Sequence, residues 1–114
     1  MVEPVRSLKK DKLMVEIYRD RPTMGQGAAA AAIAKLRHLL EEKEWINVVF
    51  AAAPSQNEFL DSLVKAEGIE WQRVRAFHLD EYLGLPANSP QRFRVFLDRH
   101  IFSRVDFMEV HYLK

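Results

Sequence analysis

Apolar and polar residues alternate from Met14 to Asp20 (Met-Val-Glu-Ile-Tyr-Arg-Asp), the period-two pattern of a half-buried strand near a sheet edge. The period then changes. From Gly25 to Lys43, Ile33, Leu36, Leu39 and Leu40 recur at helical spacing, with Lys35, Arg37, Glu41 and Glu42 elsewhere, and Thr23 stands where a helix cap belongs. The run Ala28 to Ala32 favours helix and lets a backbone approach a sheet closely. Ile46 to Ala53 is a continuous apolar run, broken only by Asn47 and bounded by Pro54, as in a strand buried on both faces. Ser55 to Ala66 reads as a helix with Phe59, Leu60, Leu63 and Val64 on one side, stopped by Gly68. Val74 to Leu79 is the next strand. Asp80 to Ser89 is a loop, and Ser89-Pro90 is a helix start, a cap followed by proline. Phe93, Phe96, Leu97, His100 and Ile101 give the following helix its apolar face, and Met108 to Leu113 is a last short strand.

The predicted order is βαβαβαβ. Strands alternating with helices imply an α/β fold, a parallel sheet with helices on both faces. Ile46 to Ala53 is expected at its centre with Val74 to Leu79 beside it. Residues 1–13, with Arg6, Lys9, Lys10 and Lys12, read as a solvated basic tail, and residues 14–114 as one α/β unit. Folds of this kind usually continue past a fourth strand, so the expectation is a unit cut at that point.

Composition narrows the functions. The chain has 114 residues, 48% of them apolar, which suits one domain with a real core. Lys plus Arg number 17 against 16 Asp plus Glu, so no global field favours nucleic acid or a membrane surface as partner. No apolar run approaches the roughly 18 residues of a membrane span. The absence of cysteine removes disulfides, thiolate metal sites and thiol catalysis, and suits the reducing cytoplasm, where the protein is expected.

Candidate chemistry gathers after the strands. In parallel α/β sheets the site lies outside the carboxyl ends of the strands, which puts Asp80 and Glu81 where an acid or base belongs. Adjacent carboxylates in a cleft tend to titrate apart, leaving one able to take a proton from a carbon beside a carbonyl. A loop carboxylate capping a backbone amide is an equal reading of position alone. The turn Ala51-Ala52-Ala53-Pro54-Ser55-Gln56-Asn57 opens a helix and so offers amides to an anion, with Ser55 either bonding a phosphate oxygen or simply capping the helix. Pro54 withholds one N–H there. His38, His78, His100 and His111 lack metal-ligand spacing. His78, two residues before Asp80, is placed on the same side of its strand. Arg92, Arg94, Arg99 and Arg104 line the polar side of the last helix, with Arg92 nearest the loop and any ligand or partner there.

The segment Val74-Arg-Ala-Phe-His-Leu-Asp-Glu-Tyr-Leu-Gly-Leu-Pro86, followed by Phe96-Leu97-Asp98-Arg99-His100-Ile101-Phe102 and Val105, resembles the glucosamine-6-phosphate deaminase/isomerase family. The likeness is specific from Val74 to Val105 and looser back to Val15, most of this chain but under half of a typical member. It implies a Rossmann-like fold and conversion of an amino-sugar phosphate to a keto-sugar phosphate and ammonia, without a redox cofactor or catalytic metal. It implies that Asp80 is the proton-shuttling base, with Glu81 as its orienting or hydrogen-bonding partner. The phosphate is expected at Ser55 and Gln56.

The chain also departs from that pattern. The family favours Thr-Gly-x-Ser/Thr-Pro at the phosphate turn, where this chain keeps only the Ser55 hydroxyl. Arg92-Phe93 stands where the family often has Ser-Tyr. The family's later Asp-Gly-His segment, which carries the ring-opening histidine, is not encoded here, so this portion alone is expected to be inactive. An unfinished sheet also invites self-association, so a homo-oligomer is expected. Two other readings remain open: a hydrolase like the related 6-phosphogluconolactonases, which tend to carry Arg where Tyr82 stands, and a sugar-phosphate-sensing regulatory module.

Overall fold

The computed structural model describes residues 2–113. Strands β1 (Arg6–Lys10) and β2 (Leu13–Ile17) form an antiparallel hairpin in a sheet of their own. Helix α1 (Arg21–Glu42), strand β3 (Ile46–Phe50), helix α2 (Asn57–Val64), strand β4 (Val74–His78), helix α3 (Phe93–Leu97) and strand β5 (Glu109–His111) follow. The second sheet has the order β3-β4-β5 and is parallel throughout.

The α/β class and the parallel pairing of β3 with β4 agree with the sequence pattern, and three details differ. First, residues 6–10 are a strand and not a frayed tail. Asp11, in the left-handed region at φ 53, turns the chain so that Lys10 faces Leu13. An aspartate tolerates that conformation, and pairing within the hairpin draws the Met14 to Asp20 segment out of the parallel sheet. Second, β4 is the central strand and β3 lies at an edge of the three.

Third, helices cover one sheet face and not both. Ile46, Phe50, Val74 and Ala76 share a single buried cluster with Leu36 and Leu40 of α1, Leu60 and Leu63 of α2, and Leu97, Ile101 and Phe102. On the other face Val49 is 57% exposed, Asn47, Glu109 and His111 are exposed, and Arg75 and Phe77 are half-buried. The continuous apolar run of β3 reads as buried on both faces, but only alternate residues meet the helices.

The helix ends are set by side chains that bond backbone. Asp20, not Thr23, caps α1: its carboxylate accepts the Thr23 N–H at 2.9 Å, so the helix starts at Arg21, ahead of the Gly25 expected from periodicity. At the other end of α1, Arg73 donates to the carbonyls of Leu40, at 2.7 Å, and Lys43. A cation there satisfies orphan carbonyls and complements the helix dipole. Helices α1 and α2 approach so closely at Gly25 that a β-carbon would lie 2.6 Å from Glu58 Cβ. Past Leu97 the backbone widens into a π turn over Asp98–Phe102, closed by the Ser103 N–H on the Asp98 carbonyl at 3.1 Å. That turn buries Ile101 and Phe102, and Phe102 meets Phe50 edge-on at 5.7 Å.

Candidate functional site

Because β3 and β4 are parallel neighbours, the loops that follow them leave the same sheet edge. The ladder runs one step past β4, with the Leu79 N–H on the Phe50 carbonyl at 3.0 Å. Continuing the Phe50↔His78 register sets Asp80 opposite Ala52. Between the two loops lies a cleft of about 410 Å³, lined by Ala52, Ala53 and Pro54 on one side and Tyr82, Pro90, Gln91, Arg92, Phe93 and Phe96 on the other.

The two adjacent carboxylates have separate environments. Asp80 is exposed. The Glu81 side chain is only 6% exposed. Its carboxylate accepts the backbone N–H of Phe93 at 2.8 Å, of Tyr82 at 3.0 Å and of Arg94 at 3.1 Å. Burial pushes its pKa up, but the amides of Phe93, Arg94 and Tyr82, helped by the nearby His78, hold it below the usual glutamate value. Glu81 thus caps α3 from across the loop. The cap residue of α3 itself, Arg92, supplies no side-chain bond. This is also why the helix starts at Phe93 and not at the Ser89-Pro90 signal. Glu81 ties the loop down while its neighbour Asp80 faces solvent.

His78 lies beneath this anchor. It is buried at the end of β4, on the core face with Val74 and Ala76. Its Nδ1 accepts the Leu113 N–H at 3.3 Å and its Nε2 stands 3.4 Å from Glu81 Oε2. An acceptor at Nδ1 places the ring proton on Nε2, facing the carboxylate. Nε2 makes no hydrogen bond among the described residues, so His78 packs beneath the loop close to Glu81 without bonding it.

The turn after β3 offers less than the sequence pattern suggested. Neither residue expected to hold phosphate caps α2: the Pro54–Gln56 turn and the helix after it have no side-chain cap bond. The Gln56 N–H is engaged by the Ala53 carbonyl at 2.9 Å. The Gln56 side chain lines a different cavity, between α1, β3 and α2, with Ala32, Lys35 and Phe59. Ser55 is exposed and uncommitted to a helix cap.

Two arginines flank this region. Arg21, which periodicity did not single out, donates to the Pro54 carbonyl at 2.9 Å and to Glu58 at 2.6 Å. Arg92 lines the cleft directly. Among the described residues no group of at least three His, Cys, Asp or Glu side chains is arranged to hold a metal ion. No described helix is long and apolar enough to cross a membrane.

No family model matches the sequence. Individual proteins do. Glucosamine-6-phosphate deaminase 2 of Giardia intestinalis is 43% identical over 56 residues, 47% of this chain and 21% of the relative. The glucosamine-6-phosphate deaminase of Mycolicibacterium smegmatis is 36% identical over 96 residues, 82% of this chain and 35% of the relative. The chain is similar in sequence to part of the glucosamine-6-phosphate deaminases.

Solved structures agree on the fold of these deaminases and their superfamily. A 6-phosphogluconolactonase from Thermotoga maritima superimposes with a TM-score of 0.72 at 27% identity, over 79% of this chain and 41% of that one. A monomeric glucosamine-6-phosphate deaminase of the NagB superfamily gives 0.69 at 18% identity, over 82% and 39%. The chain thus spans 21% to 35% of the length of these two deaminase relatives.

Proposed function

We propose that this chain forms the part of an amino-sugar-phosphate isomerase/deaminase that carries the proton-transferring base. The placement of Asp80 carries the reading. It is an exposed carboxylate just past the carboxyl end of a parallel strand, two residues before the cleft-lining Tyr82 and next to a residue that pins its loop. In the reaction an open-chain amino-sugar phosphate loses the proton on the carbon beside C1 to a carboxylate oxygen of Asp80. Asp80 returns the proton to C1 while the ammonium group gives up a proton that ends on O1, and the resulting iminium takes up water and releases ammonia to leave the keto-sugar phosphate. A general base of this kind contributes about 10²–10⁴-fold to rate. Glu81 holds the loop of the base in place, and neither Glu81 nor His78 exchanges protons with substrate. Ser55 contacts the phosphate in this reading, while Gln56, which lines another cavity and whose N–H is held by Ala53, does not.

Support for the substrate class comes from the names of the sequence relatives, deaminases of glucosamine 6-phosphate. The bare sheet face makes self-association the expected state in solution, and a cytoplasmic setting fits the substrate. One observation favours a second reading: a fold neighbour at 27% identity is a 6-phosphogluconolactonase. Tyr82 stands against it.

The test is an assay of the purified chain with glucosamine 6-phosphate and, separately, with 6-phosphogluconolactone, together with ligand binding by nuclear magnetic resonance. The expected result is specific binding of the amino-sugar phosphate without ammonia release from this portion alone. Lactone hydrolysis, or indifference to both compounds, would sink the reading.

A further inference from the structure

The cleft after β3 and β4 is lined by a cation, Arg92, that lies within ion-pair distance of Glu81. The Arg92 side chain is 13% exposed and lines the cleft. Its Nε is buried and has no hydrogen-bond partner among the described residues. Glu81 Oε2 lies 3.3 Å from that nitrogen, close enough to attract the charge. Glu81 Oε2 also accepts the Arg94 N–H, and a carboxylate oxygen has lone pairs enough for both neighbours. An oxyanion entering the cleft can meet this guanidinium from the side away from Glu81.

The neighbouring arginines do not line the cleft. Arg94 lies 4.0 Å over the Tyr112 ring, Arg21 is held by Pro54 and Glu58, and Arg104 lies 3.7 Å from Asp61.

The opposite wall of the cleft is correspondingly poor in donors. Pro54 has no N–H and the Gln56 N–H is taken by Ala53. Ala52 and Ala53 present only methyl groups, so a ligand can come close to the backbone. The aromatic residues Tyr82, Phe93 and Phe96 complete the lining. A planar fork of donors suits a phosphate or carboxylate.

We propose that Arg92 anchors the anionic oxygen group of a small ligand in this cleft, taking from across the cleft the part expected of the Ser55 turn. The inference rests on the sugar-phosphate reading for the identity of that group, a phosphate monoester. The anion then sits between Arg92 and the Ala52–Pro54 turn, and the sugar extends toward Asp80 at the rim.

Titration calorimetry of the 114-residue chain with inorganic phosphate and with glucosamine 6-phosphate tests this, repeated on Arg92→Gln, Arg92→Lys and Ser55→Ala, each checked for an intact amide spectrum. Arg92→Gln is expected to weaken both ligands about tenfold or more, as befits the loss of a charge-assisted bond, and Ser55→Ala to have the smaller effect. Should Arg92→Gln not fold, Arg92→Lys decides, since it keeps the charge beside Glu81 and loses the fork; weakened binding is expected. A folded Arg92 variant that binds as tightly as the parent, with the loss falling on Ser55→Ala, overturns the inference and leaves the sugar-phosphate reading standing. Arg92-dependent binding of phosphate without binding of glucosamine 6-phosphate supports the inference and overturns that reading. A parent chain that binds neither ligand overturns both.

Discussion

The Glu81 carboxylate accepts the Phe93 backbone N–H at 2.8 Å, so the residue next to Asp80 is built into the start of α3. The bond is part-buried and charge-assisted, and it is flanked by the amides of Tyr82 and Arg94. Replacing Glu81 with Gln keeps the shape but puts an amide NH₂ where an acceptor is needed. Glu81→Gln is expected to lower the unfolding free energy by about 1–3 kcal/mol, measured by urea denaturation. An unchanged midpoint would show that the cap is dispensable.

The same group sets part of the acid response. Its native pKa lies below the ordinary 4.5, so on acidification the unfolded chain takes up protons first. The stability it contributes is present above about pH 4.5 and is lost as pH falls through the lower native value. Denaturation curves collected down through that range should be less pH-dependent for Glu81→Gln than for the parent. Equal slopes would contradict the assignment.

At alkaline pH the sign is opposite. Burial, and then a hydrogen bond to the Asp98 carboxylate, push the Tyr112 hydroxyl from 10.0 up to about 12. The native state then keeps a proton that the unfolded state has released, so stability falls as pH rises from 10.0 toward about 12. Tyr112→Phe should remove that part of the decline. Tyrosinate absorbance, followed during titration of the folded protein, checks the shift itself.

How much of this was legible in the sequence differs by element. Strands β3 and β4 were readable because each is a short apolar run ended by a loop. Their parallel pairing followed from the helix between them. The hairpin was not, because Arg6–Lys10 is rich in charge and its pairing depends on a turn at Asp11, a residue that carries no turn signal as strong as glycine. The bare sheet face was hidden because Val49 is as apolar as its buried neighbours Ile46 and Phe50. Position alone set Asp80 and Glu81 just past the end of β4, but that one is exposed and the other buried depends on where α3 begins, a tertiary fact. The one advance sign for Arg92 was its nearness to the loop.

Gly25 tests the packing of α1 on α2. A β-carbon there would sit 2.6 Å from Glu58 Cβ and 2.7 Å from its carbonyl carbon, and the backbone cannot give way cheaply. Gly25→Ala should therefore destabilise by about 1–3 kcal/mol despite alanine's better helix propensity. A gain in thermal stability would mean that the helices sit further apart.

Asp80 is exposed, so Asp80→Asn should change stability by no more than about 0.5 kcal/mol. In a polypeptide with the full catalytic machinery of the deaminases, the same change should lower turnover about 10²–10⁴-fold while substrate still binds. Near-normal turnover would remove Asp80 from the mechanism.

The central claim is that the edge bearing Asp80 receives a phosphorylated amino sugar, and amide chemical-shift mapping of the chain during titration with glucosamine 6-phosphate tests it most directly. The account predicts shifts at Ala52, Ala53, Ser55, Asp80, Tyr82, Arg92 and Phe93 that saturate, and much weaker shifts with glucosamine lacking the phosphate. Shifts confined to the cavity around Leu39, Trp45 and Asn47, at the amino end of β3, or no saturable shifts at all, would contradict it.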